Sequence, residues 1–250
     1  VLRTFIDAAS WDDALERMMA WASDRESRYV CICNCHAVAT ALHEPRLAQA
    51  INDADMATPD GWPVAWALRR MGYPNQQRIA GPDLMERLCA AVAHRRTPVF
   101  LHGSTPEVLG RLERRLKAAF PGLVIAGTYS PPFRALSAQE EQGIVTRINR
   151  SGARIVFVGL GCPKQELWMR EQRGRIDAVM IGVGAAFDFH AGTMRRAPQW
   201  MQRAGLEWLH RLASEPRRLW RRYLVTNSVF AVAIARQLLQ RRAARGRSTT

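Results

Sequence analysis

Apolar and polar positions alternate between two rhythms along the chain. Short apolar runs read as buried strands: Tyr29 to Cys35, Pro98 to Leu101, Leu123 to Gly127, Arg154 to Val158 and Ala178 to Val183. Between and around them the spacing is helical. Leu15, Met18, Met19 and Ala22 fall on one side of a helix over Trp11 to Ala22, with Ser10 and Asp13 at its start. Further helices are predicted over Ala37 to Ala41, Leu47 to Ile51, Trp62 to Arg70 and Leu84 to His94, the last opened by Gly81-Pro82-Asp83. Ser104-Thr105-Pro106-Glu107 caps a helix running to Phe120, and Ser137 with Glu140 caps another. The run Ala57-Thr58-Pro59-Asp60-Gly61 reads as a turn. Repeated passage from strand through loop to helix predicts an α/β, Rossmann-like fold: a mostly parallel sheet with helices on both faces.

After Met194 the texture changes. Strand signals cease, and residues 195–250 become helical, aromatic and basic. Trp200, Ala204, Trp208 and Leu212 are predicted to share one helical face, and Val229 to Ala235 is apolar between arginine clusters. We therefore expect a core over 1–194 and a basic helical appendage over 195–250.

Composition sharpens that division. With 48% hydrophobic and 23% charged residues the chain is globular rather than disordered. Of the net charge of +14, +11 lies in residues 195–250, which hold 13 arginines and two glutamates. The body is nearly neutral and the appendage seeks an anionic partner. Arginine and tryptophan occurring together favour a membrane surface, against a helix packed on the body with its arginines in water. No stretch reaches the ~18–20 apolar residues of a membrane span. No secretory signal is read at the start, and because the chain opens on Val1 an upstream segment is open. Five cysteines without a CxxC pair fit thiols in a reducing cytoplasm. Cys31, Cys33 and Cys35 would share one strand face as small buried hydrophobes. A metal there lacks a fourth ligand, His36 lying on the opposite face.

Candidate chemistry gathers where strands end. Gly159-Leu160-Gly161-Cys162-Pro163-Lys164-Gln165-Glu166 follows a strand and precedes a helix, so its backbone can approach a phosphate. Lys164 stands where a dinucleotide fingerprint needs its third glycine, which counts against an NAD(P)-type oxidoreductase. Asp60 precedes a glycine, so it is either a turn residue bonded to its own backbone or a catalytic carboxylate. Asp53-Ala54-Asp55 matches a DxD metal pattern, but hard cations need more oxygen ligands than this pair supplies. Arg78, Gln165 and Asp188 complete a set at one sheet edge. A nucleic-acid-binding module is the remaining alternative; apolar residues interleaved with the arginines at helical spacing favour lipid.

Several ordered blocks carry a resemblance: Thr58-Pro59-Asp60-Gly61, Arg78-Ile79-Ala80-Gly81-Pro82-Asp83-Leu84, the Val158 to Glu166 loop, Gly182 to Phe189, Arg195-Arg196-Ala197-Pro198, Gly205 to Leu212 and Glu215-Pro216-Arg217-Arg218. Over roughly 29–225 the chain resembles the bacterial WecG/TagA/CpsF glycosyltransferases. It departs at Ile32-Cys33-Asn34, where the family usually has Thr-x-Asn. The resemblance implies inverting, metal-independent transfer, with no cofactor, from a UDP-sugar to an undecaprenyl-diphosphate-linked saccharide. It implies Asp60 as base and Arg78 as its catalytic partner. Asn34, Gly103, Ser104, Gly159, Gly161, Pro163, Gln165, Glu166 and Asp188 would surround the nucleotide sugar. Arg211, Arg218 and Arg221, expected near one helical face, would reach the acceptor diphosphate. The implied setting is the cytoplasmic face of the cell membrane, in exopolysaccharide or cell-surface glycan synthesis.

Overall fold

A computed structural model describes residues 1–247, apart from the side chains of 218, 222, 242 and 245–247. In chain order its elements are α1 (Trp11–Ser23), β1 (Arg28–Cys33), α2 (Cys35–Ala41), α3 (Pro45–Asn52), β2 (Met56–Pro59), α4 (Trp62–Arg70), α5 (Gly81–Arg95), β3 (Val99–Gly103) and α6 (Pro106–Ala119). There follow β4 (Ile125–Tyr129), α7 (Ala138–Arg150), β5 (Ile155–Gly159), α8 (Lys164–Gln172), β6 (Val179–Gly182), α9 (Ala186–Ala191), α10 (Gln199–Arg203), α11 (Glu207–Ser214) and α12 (Pro216–Arg247).

The strands form one sheet in the order β2-β1-β6-β5-β3-β4, and every neighbouring pair is parallel. A parallel sheet must be covered on both sides, and the alternation along each strand shows how. Val30 and Ile32, Ile155 and Phe157, and Val179 and Ile181 point to the layer of α1, α5, α6 and α9. Tyr29 and Cys31, Val156 and Val158, and Met180 point the other way, to the layer of α2, α3, α7 and α8. The Rossmann-like expectation therefore holds.

Two local expectations fail. Of the run 57–61 read as turn, residues 57–59 belong to the buried edge strand β2, with Pro59 opposite Cys33. Cys35 leaves the strand: Asn34 caps α2 by accepting a hydrogen bond from the Ala37 N–H (3.1 Å), and Cys35 begins that helix.

The appendage is not one amphipathic stripe. Gly205, with φ +74°, separates α10 from α11, so Trp200 and Trp208 lie on different helices. The apolar run 229–235 lies in α12, where Phe230 and Ile234 are buried in the α2-side core. Val232, nearby on the same helix, is exposed. The run thus packs on the body with one face and leaves another open. No described helix is long and apolar enough to cross a membrane.

Candidate active site

The crevice forms at the carboxyl ends of the strands, where β5 runs on toward β6 and β3 runs the other way toward β4. Glycines end these strands because neighbours come too close for a side chain. A Cβ at Gly103, whose φ is +124°, would lie 2.6 Å from the Gly159 carbonyl carbon and oxygen. A Cβ at Gly159 would meet the Phe187 ring at 2.6 Å. Gly103→Ala combines this clash with an unfavourable backbone region. We expect it to cost about 3 kcal/mol, a fall of roughly 6–12 °C in Tm by calorimetry. Beyond Gly103, Ser104 holds a left-handed conformation (φ +57°); its carbonyl accepts from Ser130 Oγ at 2.6 Å. Ser104 faces a cavity of about 810 Å³ that spans the crevice, a size ordinary for a substrate pocket.

The glycine loop forms one wall. Gly161, at φ +79°, donates its N–H to Gln165 Oε1 (3.2 Å). Gln165 Nε2 donates to the Gly182 carbonyl (3.3 Å) and to Glu166 Oε1 (2.9 Å). This buried amide, expected to meet a ligand, instead fixes the loop against β6 while lining the cavity. Glu166 is also buried and lines the cavity, and burial pushes its carboxyl up. Asn34, Gly159, Gly161 and Asp188 are in the lining as well. Gly103 and Pro163 are not: Gly103 packs beneath Gly159, and Pro163 stands at the head of α8.

Asp60 follows the last residue of β2. Its N–H donates to the Cys33 carbonyl (2.9 Å), and Gly61 then turns the chain at φ +84°. The backbone is thereby anchored while the carboxylate lines the cavity, and no described residue hydrogen-bonds that carboxylate. The turn-aspartate alternative required such a bond. Burial pushes Asp60 up to about 6; Arg78 and Arg211 pull it down, while Glu207 and Asp83 push it up.

The C-terminal segment supplies the opposite wall through Glu207, Trp208 and Arg211 of α11, and Leu219, Tyr223 and Phe230 of α12. Gly205 allows this approach, since a Cβ there would lie 2.9 Å from Trp62 Cβ. Arg211 lies 5.6 Å from the Phe189 ring centre, and its Nε has no partner among the described residues. Arg78 is engaged by two acids: Nη1 donates to Glu207 Oε2 (2.9 Å) and Nη2 to Asp83 Oδ2 (3.4 Å). Arg196 grips Asp83 with both Nη atoms (2.5 and 2.8 Å) and gives Nε to Glu207 Oε1 (3.3 Å).

Of the three arginines expected at an acceptor diphosphate, Arg211 is the one that lines the cavity among the described residues. Arg221 is exposed beside Trp220, 5.2 Å from its ring centre, and does not line it. The Arg218 side chain lies outside the described residues. The single helical face is also broken, because Glu215 leaves helical geometry between α11 and α12 (φ −135°, ψ 58°). The DxD pair lies outside the cavity lining. Asp53 binds Arg170 (2.8 Å), and Asp55 binds Arg28 (2.8 Å) and Arg173 (2.6 Å). Sequence reasoning missed Glu207 and Arg196 as parts of the site. One signal was present for Glu207: it is one of only two acids in a segment otherwise rich in arginine.

The family model described as the glycosyl transferase WecG/TagA/CpsF family matches residues 1–244 of the 250. The chain belongs to that family, one of glycosyltransferases in cell-surface glycan synthesis.

Proposed function

We propose that this WecG/TagA/CpsF family member is an inverting, metal-independent glycosyltransferase. It moves a hexosyl group from a UDP-sugar to an undecaprenyl-diphosphate-linked saccharide, at the cytoplasmic membrane face. One observation carries the reading: a half-buried carboxylate, Asp60, to which no described residue hydrogen-bonds, and a cavity-facing guanidinium, Arg211, share one cavity.

Inversion needs one displacement. Asp60 takes the proton of the acceptor hydroxyl as that oxygen bonds to the anomeric carbon, and the bond from that carbon to the UDP oxygen breaks. The electron pair leaves on the diphosphate. Arg211, the cavity face of Arg78 and the backbone donors at the glycine loop offset the charge. Guanidinium donors in a desolvated site supply this stabilisation without a metal ion. Asn34, Ser104 and Asp188 are the polar groups set to orient nucleotide and sugar.

The rim suits a lipid-linked acceptor. Trp62, Phe133 and Trp208 line the cavity yet are exposed, and Trp220, Leu224 and Val225 are exposed along α12. With the basic charge of this segment they form a surface for anionic lipid.

The test is a panel of UDP-sugars with a short-chain prenyl-diphosphate saccharide, read by UDP release and mass of the extended acceptor. Transfer is expected with at least one donor, at an unchanged rate in excess EDTA, giving the inverted anomer by NMR. A rate that collapses in EDTA would remove the metal-free mechanism. NAD displacing UDP in a thermal-shift competition would remove the nucleotide-sugar assignment.

A further inference from the structure

Four side chains close a ring of alternating charge at the joint between body and C-terminal segment: Arg78, Asp83, Arg196 and Glu207. Three of them precede α10. Glu207, the first residue of α11, is the fourth, and it is the member of the ring that belongs to the lid-forming wall. The side chains of Arg78 and Glu207 are each 18% exposed, so this pair is shielded from water more than a surface ion pair.

We propose that Glu207 is a positioning residue of the transfer reaction: it holds the Arg78 guanidinium in place and sets a negative charge near Asp60, making base strength depend on the docked C-terminal segment. This rests on the reading of Asp60 as the base. Asp60 is faced by Arg78 from the loop before α5 and Asp83 from its first turn, by Glu207 and Arg211 from α11, and by the thiols of Cys33 on β1 and Cys35 on α2. Two cations beside a carboxylate make it a poor proton acceptor. Glu207 counters both effects, since it repels a charged Asp60 and occupies one arm of Arg78. Because α11 brings the cation of Arg211 to Asp60 as well, Glu207 is the group on that helix that keeps Asp60 a usable base with α11 seated. A general base works best with its proton affinity near the working pH.

The full-length chain with Glu207→Gln and Glu207→Asp tests this. The Asp60 carboxyl is followed by ¹³C NMR titration, and donor kinetics are measured beside it. Glu207→Gln is expected to move the Asp60 titration, and the acid limb of kcat, to lower pH. It should lower kcat by about 10–100-fold while KM for the donor changes less than about threefold. Glu207→Asp keeps the charge and should restore most of both. An Asp60 titration unmoved in Glu207→Gln overturns the proposal. So does equal behaviour of the Gln and Asp variants, which would mark Glu207 as packing alone. Absence of transfer by the unaltered chain would instead overturn the glycosyltransferase reading, while the titration, which needs no substrate, still reports on Glu207.

Discussion

Asp60→Asn is expected to lower kcat about 10³-fold and leave UDP affinity within about twofold. The amide keeps the size of the carboxylate and cannot take the acceptor's proton. With its carboxyl pushed up to about 6, Asp60 is mostly ionised at neutral pH and becomes protonated as the pH falls through that value. The unaltered enzyme should therefore lose activity about tenfold per pH unit below that point, and the Asn variant's residual rate should be flat there. The same substitution has an opposite effect on stability. A raised carboxylate opposes folding when charged, and this opposition fades as pH falls from about 6 toward the ordinary 3.8. Asp60→Asn should thus raise Tm near neutrality, by an amount that shrinks in acid. An Asn variant that retains near-normal turnover would remove Asp60 as the base; unchanged Tm at all pH values would remove the desolvated charge.

Much of this arrangement was legible before any coordinates, for physical reasons that also mark where legibility stopped. Strands β1, β3, β5 and β6 are apolar runs long enough for their burial to show in the sequence. Strand β2 has four residues and ends in proline, a strong turn signal. It is nonetheless a strand because it lies at the sheet edge, where a missing N–H leaves no neighbour unsatisfied. The glycines of the crevice were visible as a loop before a helix. Their reason was not: it lies in cross-strand distances such as Gly103 to Gly159. Gln165 was legible as a polar loop residue, but only the fold shows its amide joining Gly161 to Gly182. The charge ring joins residues up to 129 positions apart, a separation that local pattern does not encode.

The basic appendage posed the sharper problem, because one helical pattern serves two surfaces. Phe230 and Ile234 cover α2, whereas Trp220, Leu224, Val225 and Val232 stay open. Periodicity reports that a helix has apolar positions. It does not report which meet protein and which meet lipid, since both environments reward the same side chains.

Cutting the chain after Met194 separates the roles of that appendage, and two distinct losses are expected. The first is chemical. Glu207, Trp208, Arg211, Tyr223 and Phe230 leave the cavity wall together, so the crevice opens to water and Arg78 loses one of the two acids that hold it. Removal of a single charge-stabilising donor commonly costs 10²–10³ in rate, so transfer to a lipid-linked acceptor should fall below about one-thousandth. The second is structural. Leu219, Phe230 and Ile234 are 1%, 3% and 3% exposed, and each contributes about 2 kcal/mol through burial. Losing all three costs about 6 kcal/mol, or about 12–24 °C in Tm. The sheet should still form, because the core on the α1 side contains nothing beyond Ala191. Point variants keep the two losses apart. Ile234→Ala, at a buried position outside the cavity lining, should lower Tm while each folded molecule retains most of its turnover. Arg211→Met should keep Tm within about 2 °C and lower kcat by about 10²-fold. If the truncated body matched the full chain in transfer, the C-terminal segment would have no part in the site. If Arg211→Met turned over normally, the charge on the leaving diphosphate would have to be met by Arg78 and backbone donors alone.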